Sequence, residues 1–262
     1  MYYKKYFHTI IIFSPTVKND DKWTYVKKQK LLLENKPLKK FLKELEKKKE
    51  KADFVMNRPK STPIDGTTNV DVVSGHQGET DERFNAEIPE DCFLEDYNEE
   101  DLISLMQQQQ KMIDLLNAHG KSKHLANRYC FIKIRTLLLF DDMVGSNLFN
   151  SSRANPFKRA NTNHRHYSFS LLEVSQAYKE IQKTVRTNFT CLIIFEIFNE
   201  KEVEAIFEEY PMGLKKEAWH KAYDHCVDGA HSFMFYDITK KPLMRIMKNF
   251  SEYVYSHNTE EE

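Results

Sequence analysis

The sequence predicts an α/β fold with a mainly parallel sheet, and two observations lead to this prediction. Short runs rich in apolar, β-branched and aromatic residues alternate with segments whose apolar residues have helical spacing. The runs are apolar at nearly every position, which is typical of strands that are buried on both faces of a parallel sheet. Strands that alternate with helices in this way form a sheet covered by helices.

The predicted strands are short and lie mostly in the second half of the chain. The first is the run HTIIIFSPT at residues 8–16, which is closed by Ser-Pro. Four more follow, at residues 134–140, 167–175, 190–198 and 231–238. Alternation with helices predicts that these four strands are parallel. Residues 242–248 are expected to form a terminal hairpin with the last strand.

The predicted helices begin at polar caps and show apolar residues three and four positions apart. Asp20 and Asp21 can cap a helix, and helical spacing is also seen further on, at Leu38, Phe41, Leu42 and Leu45. Residues 98–117 predict another helix, with the glutamines at 107–110 on its surface and Gly120 as its cap. The remaining helical segments are residues 181–188, 199–210 and 215–229.

The length of 262 residues suits one large domain, or one domain with an insertion. We therefore predict a single domain over residues 1–262. Residues 52–90 are rich in proline, glycine, threonine and charge, and this composition predicts a disordered insertion. The acidic residues 256–262 are expected to form a frayed tail.

Composition limits the classes of function. Lys+Arg and Asp+Glu both number 39, so net charge gives no argument for nucleic acid or membrane, and any such surface must be local. The four cysteines are far apart in sequence, which argues against a disulfide framework and favours a reducing compartment. No apolar run reaches membrane-spanning length, and no signal-peptide pattern is present. The sequence therefore predicts a soluble intracellular protein.

The stretch TLLLFDDMVG, residues 136–145, is the clearest chemical signal. It runs from an apolar strand directly into Asp141 and Asp142. In nucleotide-binding sheets the first acid at such a strand end orients the water molecules around Mg²⁺, and a second can polarise the attacking water. The same pattern also occurs in ordinary β-turns and in two-metal sites.

Five segments in order resemble the packaging ATPases of large double-stranded DNA viruses (poxvirus-type), virophages and Maverick-like elements. These ATPases belong to the FtsK–HerA group of P-loop motors. The segments are IIIFSPT followed by DDKW, then LLLFDDM, then NTNHRHYSFSLLEVSQ, then VRTN, then CLIIFEI. The resemblance covers most of the chain apart from the insertion and the tail. It implies a RecA-like three-layer P-loop NTPase fold.

The resemblance also implies roles for four residues. Asp141 matches the Mg²⁺-associated acid and Asp142 the water-activating acid. Gln176 matches a sensor whose amide can bind the γ-phosphate or the attacking water, although it can equally be a capping side chain. Arg186 matches an arginine that reaches a nucleotide on a neighbouring subunit. On the sequence alone, a surface salt bridge is the simpler interpretation of Arg186.

The same resemblance implies partners. The intact relatives are expected to bind double-stranded DNA, capsid or portal-type components and copies of themselves in a ring, in the host cytoplasm, a virus factory or the nucleus. The basic segment 155–166 holds Lys158, Arg159 and Arg165, which suit sequence-independent contacts with DNA phosphates. An exposed polar loop is the alternative interpretation of this segment.

One part of the family pattern is missing from the sequence. No G-x-x-x-x-G-K-[ST] motif occurs, and the nearest string, GKS at residues 120–122, follows a helix instead of a strand. In the family this loop lies just upstream of the strand that matches residues 8–16. We therefore expect an N-terminally truncated chain in which binding of ATP and Mg²⁺ is weak or absent, and in which the strand TLLLF has an open edge.

Three other interpretations stay open at this stage. The chain can be an inactive remnant or interaction subunit of the same fold. The aspartate pair can belong to a two-metal nuclease, although no further acids lie at suitable strand ends. A zinc site is a third candidate, but its residues match no standard spacing, so structural roles are favoured; the residues are His220, His225, Cys226 and His231.

Overall fold

The computed structural model of the protein describes residues 6–29, 31–33, 47, 85–119, 134–143, 146–149, 155–211, 213–241 and 245–254. The chain divides into two compact units. Unit 1 comprises residues 1–143 and 163–174, and unit 2 comprises residues 144–162 and 175–262. The single domain stays a prediction. Residues 38–45, 52–84, 120–122 and 256–262, on which other predictions fell, lie outside the described residues.

Unit 1 is built on a four-stranded parallel sheet, which confirms the predicted α/β class with a mainly parallel sheet. The strand order is β4-β1-β5-β6. The elements are β1 (Thr9–Phe13), α1 (Asp21–Lys27), β2 (Leu32–Leu33), β3 (Asn85–Ala86), β4 (Phe93–Leu94), α2 (Glu99–His119), β5 (Thr136–Asp141) and β6 (Phe169–Val174). The short strands β2 and β3 pair antiparallel in a sheet of their own.

The strand β5 lies inside the sheet of unit 1, so the prediction that TLLLF has an open edge is wrong. β5 pairs in parallel with β1 on one side and with β6 on the other. Both of its backbone edges are therefore used in ladder hydrogen bonds. Among the described strands, β4 and β6 lie at the two edges of this sheet.

The end of the predicted insertion is ordered. Residues 85–90 form β3 and the start of a 3₁₀ turn, Glu90–Cys92. Ile88 is 4% exposed and packs with Ile10, Ile12 and Trp23. This apolar side chain is part of the core, so residues 85–90 do not belong to the predicted disordered insertion.

The helix α2 corrects the expectation that its glutamines all lie on the surface. Gln109 is 1% exposed. Its amide nitrogen donates to the carbonyl oxygen of Ile134, and its amide oxygen accepts from the hydroxyl of Thr136. A buried amide is stable only when its polar atoms have partners, and these two bonds tie α2 to the start of β5.

Unit 2 is built on a four-stranded antiparallel sheet in the order β10-β9-β8-β7. Its elements are α3 (Pro156–Thr162), α4 (Lys183–Arg186), β7 (Cys191–Ile194), α5 (Glu200–Glu209), α6 (Lys216–Val227), β8 (Met234–Asp237), β9 (Ile246–Lys248) and β10 (Glu252–Tyr253). The pairing of β8 with β9 confirms the predicted terminal hairpin.

The predicted parallel arrangement is wrong for β7 and β8, which pair antiparallel. Two helices, α5 and α6, lie between these strands. A single helix after a strand carries the chain back to the end of the sheet where that strand began, and the next strand is then parallel. A second helix carries the chain to the end where the strand finished, and the next strand is then antiparallel. The direction of β8 can therefore be predicted only from the number of helices between the two strands, and not from the alternation of strands and helices alone.

One face of the antiparallel sheet carries the core of unit 2. Trp219, Cys226 and Met234 are fully buried there, beside Leu192 and Ile194 of β7. Since side chains alternate along a strand, the neighbouring residues of β7 point to the other face and are exposed. Among the described residues, no helix is both long and apolar enough to cross a membrane.

Candidate functional site

The carboxyl ends of β1 and β5 place Ser14 beside Asp141. The two strands are parallel and in register, with Phe13 opposite Phe140. The residue that follows Phe13 is therefore next to the last residue of β5. Ser14 is fully buried, and its hydroxyl donates to Oδ2 of Asp141 at 2.9 Å. The side chain of Asp141 is thus fixed by the neighbouring strand.

Lys22 is the second neighbour of Asp141. Asp20 caps the N-terminus of α1 by accepting from the backbone N–H of Lys22. The Lys22 ammonium lies 3.1 Å from Oδ2 of Asp141 and 3.2 Å from Oδ2 of Asp20. The hydrogen bond to Asp141 is the main reason that the pKa of Lys22 is raised. The first turn of α1 therefore brings a cation to the acidic strand end.

Asp142 follows β5 in a left-handed backbone conformation, with φ of 51°. Its backbone N–H donates to the carbonyl oxygen of Val174 at 3.0 Å, so the chain is still paired with β6 at this point. Aspartate adopts this conformation more readily than most residues, and such conformations are concentrated at functional sites. The side chain is half-buried, between the core and solvent.

The donor set at Asp141 fits one kind of metal binding. Among the described residues, no three His, Cys, Asp or Glu side chains are gathered as a metal-binding group. Mg²⁺ does not require such a cage, because it is often held by one or two carboxylates together with phosphates and water. Asp141, steadied by Ser14, can hold a Mg²⁺ ion that shares its coordination with a nucleotide.

The sequence predicted the two aspartates but not the roles of Ser14 and Lys22. A signal was present, because both are polar residues that closely follow β1. In a parallel sheet the carboxyl ends of all strands lie at one end of the sheet. The pairing of β1 with β5 is what brings these side chains to Asp141.

Arg186 lies in unit 2, at the end of α4, and is 8% exposed. Its Nη1 is 2.9 Å from Oε1 of Glu209, and its guanidinium carbon lies 4.5 Å from the ring centroid of Tyr178. Tyr178 donates to the other oxygen of Glu209, and the hydroxyl of Tyr210 donates to the carbonyl oxygen of Arg186. The ion pair expected for Arg186 is thus present, although it is buried instead of lying on the surface.

The predicted sensor Gln176 and the predicted DNA-contacting residues Lys158 and Arg159 lie on different elements. Gln176 follows β6 by two residues and is exposed. Lys158 is half-buried and Arg159 is exposed on α3, which Asn155 caps by accepting from the N–H of Phe157. This part of the basic segment is therefore a helix, although a loop was expected.

Arg165 belongs to unit 1 and is exposed in the turn that precedes β6. In unit 2, the residues considered for zinc have other partners. His220 lies 3.6 Å from Glu204, and His225 lies 2.9 Å from Glu252. Cys226 is fully buried, and burial raises the pKa of its thiol to about 11.

Comparison with known proteins gave matches only among solved structures. No protein-family model matches the chain, and no curated protein matches it. The structure of the genome packaging NTPase B204 from Sulfolobus turreted icosahedral virus 2 in complex with AMP is similar, with a TM-score of 0.39 and 16% identity. The AMPPCP complex of the same protein gives 0.39 and 17%.

The alignment with these two structures covers 60% of this chain and 64% of the B204 chain, which is less than two thirds of that protein. B204 from Sulfolobus turreted icosahedral virus, described as a DNA-packaging ATPase, gives a TM-score of 0.37 and 15% identity. That alignment covers 63% of this chain and 68% of the other.

Proposed function

We propose that the chain is part of a DNA-packaging ATPase of the FtsK–HerA group, with Asp141 and Asp142 as the acidic half of its ATP site. The observation that carries this proposal is the fixed position of Asp141 at the carboxyl end of an interior parallel strand. Ligands of open α/β sheets bind outside this end of the strands. B204 is named as a genome packaging NTPase, and the function proposed here is of the same class.

The phosphate-binding half of the site is proposed to lie on a segment encoded upstream of Met1. The motif for a phosphate-binding loop is absent from residues 1–262. β6 is the last described strand on its side of the sheet of unit 1, and the proposed segment would add one more strand beside it. Leu172 and Val174 of β6 are 43% and 49% exposed, so an added strand and its helix would bury apolar surface there.

Each residue then has a chemical task. ATP and Mg²⁺ together would supply an activated phosphoryl group. Asp141 would hold the ion, and Ser14 would keep the carboxylate in place. Asp142 would orient the attacking water and accept its proton. Lys22 would give up its contact with Asp141 when the ion is bound, because both cations would compete for the same oxygen atom.

Gln176 and Arg186 are proposed as the γ-phosphate sensor and the arginine that acts on a neighbouring subunit. The exposed amide of Gln176 suits the first role. Arg186 would have to leave Glu209 and Tyr178 to act in a ring, so its proposed role requires a rearrangement on assembly. Its present partners would then hold it back until the ring forms.

The proposed partners follow from a packaging function. Lys158, Arg159 and Arg165 would contact the phosphates of double-stranded DNA, and a homo-oligomeric ring would dock on capsid or portal-type components. Exposure of Arg159 and Arg165 supports this proposal. The protein would act in the cytoplasm, a virus factory or the nucleus of the host.

A second candidate function is that of an inactive remnant or interaction subunit of the same fold. The contact between Lys22 and Asp141 favours it, since an internal cation already neutralises the carboxylate that would hold Mg²⁺. This candidate predicts no hydrolysis even when the upstream segment is present. A metal-dependent nuclease would instead be revealed by cleavage of DNA in the presence of Mg²⁺.

ATP hydrolysis by the chain, with and without the segment encoded upstream, tests the proposal. We expect hydrolysis only in the extended form, and a decrease of about 10²- to 10³-fold on Asp142→Asn. Asp96→Asn is the matched control, since Asp96 is an exposed aspartate of the same unit. Equal activity of the two variants would contradict the role of Asp142, and an inactive extended form would favour the remnant.

A further inference from the structure

The sheet of unit 2 has an apolar face opposite its core. The strand register places four apolar side chains in one row across the sheet: Ile193 is opposite Phe235, Phe235 is opposite Met247, and Met247 is opposite Tyr253. The two ends of this row are open to solvent, because Ile193 is 44% exposed and Tyr253 is 38% exposed. The core of unit 2, including α5 and α6, lies on the other side.

Aromatic rings extend this row. The centroids of Phe195 and Phe233 are 5.4 Å apart, and those of Phe233 and Phe250 are 4.8 Å apart. Phe250 also lies 4.7 Å from Phe235 in the first row. Phe195 and Phe250 are 54% and 52% exposed. We call these three rings and the row the aromatic face. Contiguous apolar surface of this kind marks an interaction site more often than scattered apolar residues do.

The aromatic face continues into a cleft of about 760 Å³ that has Phe195 in its wall. Glu196, Asp224 and Asp228 also line this cleft, and all three are exposed. We call it the acidic cleft. None of these three carboxylates forms an ion pair with a lysine or arginine of the described residues. The cleft therefore carries negative charge that no lysine or arginine in the described part of unit 2 pairs with.

Lys248 and His225, which lie beside the cleft, have other partners. The ammonium of Lys248 donates to the carbonyl oxygens of His225 and Asp228, which close the end of α6. The imidazole of His225 lies 2.9 Å from the carboxylate of Glu252. In these hydrogen bonds, neither Lys248 nor His225 contacts the carboxylates of Glu196, Asp224 or Asp228. The three carboxylates can therefore pair with a cation of a binding partner.

We propose that the aromatic face and the acidic cleft together bind an amphipathic segment of a partner protein that carries basic residues. Its apolar side chains would cover Phe195 and its neighbours, and a lysine or arginine would enter the cleft. Charge complementarity selects this occupant, because an anionic membrane or a nucleic acid would be repelled by the cleft. A symmetric pair of copies that met through this same surface would place two acidic clefts against each other, and their charges would repel.

Two synthetic peptides test the proposal on the full chain. The probes are fluorescein-labelled LKKLLKLLKKLLKL and its acidic counterpart LEELLELLEELLEL, and fluorescence anisotropy measures their binding. We expect the basic peptide to bind at least tenfold more tightly than the acidic one, which corresponds to about 1.4 kcal/mol. Equal binding of the two peptides would overturn the proposal.

Two variants locate the binding site. Phe195→Ser removes an exposed ring from the aromatic face, and the triple change Glu196→Gln, Asp224→Asn, Asp228→Asn neutralises the cleft. Each should weaken binding of the basic peptide on the order of tenfold. The matched controls are Tyr25→Ser and the triple change Glu87→Gln, Asp91→Asn, Asp96→Asn, which alter exposed residues of unit 1. Circular dichroism confirms that every variant is folded.

Three results would overturn the proposal. The first is binding that the control variants weaken as much as the cleft variants do. The second is binding of neutral phosphatidylcholine vesicles that Phe195→Ser abolishes, because the aromatic face would then be a membrane surface. The third is a concentration-dependent dimer, seen by sedimentation, that the same substitution dissociates, because a second copy would then be the occupant.

Discussion

The two units use their sheets in different ways. In unit 1 all four strands are parallel, so their carboxyl ends lie at one end of the sheet, and polar residues from β1, α1 and β5 meet there. In unit 2 the strands are antiparallel, so strand ends are spread over both ends and the broad feature is an apolar face. Parallel topology concentrates chemistry at one place, whereas the antiparallel sheet of unit 2 offers a surface suited to recognition.

The largest expected effect on stability comes from a cavity in either core. Leu138→Ala in unit 1 and Met234→Ala in unit 2 each remove a side chain that is 0% exposed, so each should lower the free energy of unfolding by about 2–5 kcal/mol. Hydrogen-exchange mass spectrometry reads the peptides of each unit separately. We expect each substitution to reduce protection mainly in its own unit. Equal loss of protection in both units would show that they unfold as one cooperative body, and would weaken the comparison of two separate units.

A smaller effect is expected at the acidic strand end. Ser14→Ala removes the hydroxyl that donates to buried Asp141, which should cost about 1–3 kcal/mol in the free energy of unfolding. Ser170→Ala is the matched control, because Ser170 is exposed on β6 and its change should stay within about 0.5 kcal/mol. Urea unfolding compares the two. Similar values for both variants would show that Ser14 does not fix Asp141.

At acidic pH, we expect unit 1 to lose stability through a histidine, His8. Burial, with a contribution from Arg135, lowers the pKa of His8 in unit 1. The unfolded chain then binds the proton more readily, so stability present above about pH 6.5 is lost as the pH falls further. His8→Gln should flatten this part of the curve of melting temperature against pH. An unchanged curve would contradict the assignment.

On the alkaline side, unit 2 should lose stability through two half-buried tyrosines, Tyr178 and Tyr210. Burial, followed by the hydrogen bond to Glu209, raises the pKa of Tyr178, and burial raises the pKa of Tyr210 to about 12. The folded state keeps these protons longer, so stability present below about pH 10 is lost as the pH rises above it. Tyr178→Phe should reduce this loss. Lys22 adds a smaller loss in unit 1, because its side chain is half exposed.

The smallest effect concerns DNA. Arg159→Gln in unit 2 and Arg165→Gln in unit 1 each remove one exposed cation of the basic segment. If both contact phosphates, each should reduce the slope of log binding constant against log salt concentration by about 0.9 for any duplex sequence. Lys201→Gln, an exposed lysine on α5, serves as the control. A change in sequence preference, or an unchanged slope, would contradict a phosphate contact.

Much of the fold followed from local patterns in the sequence. The apolar runs at β1, β5 and β6 were predicted as strands from their composition and are strands, and Asp20 caps α1 as its position predicted. The direction of β8 did not follow, because it depends on how two helices return the chain and not on the composition of the strand.

Residues fixed by tertiary contacts were also missed. Gln109 belongs to a run of four glutamines, and only the packing of α2 against β5 distinguishes the buried one. Ser14 and Lys22 gained their roles from the pairing of β1 with β5, which joins residues more than a hundred positions apart. The position of Asp141 and Asp142 at a strand end was predictable, because a strand and the residues that follow it are adjacent in the sequence.

Binding of Mn²⁺ in the presence of AMPPCP, measured by electron paramagnetic resonance on the chain extended by the proposed upstream segment, tests the central claim most directly. Mn²⁺ serves as the probe for the Mg²⁺ site. We expect bound Mn²⁺ only when the nucleotide analogue is present, and a loss of at least tenfold in affinity on Asp141→Asn but not on Asp96→Asn. Equal affinity of the Asp141→Asn variant and the unchanged protein would contradict the assignment of this strand end as half of an ATP site.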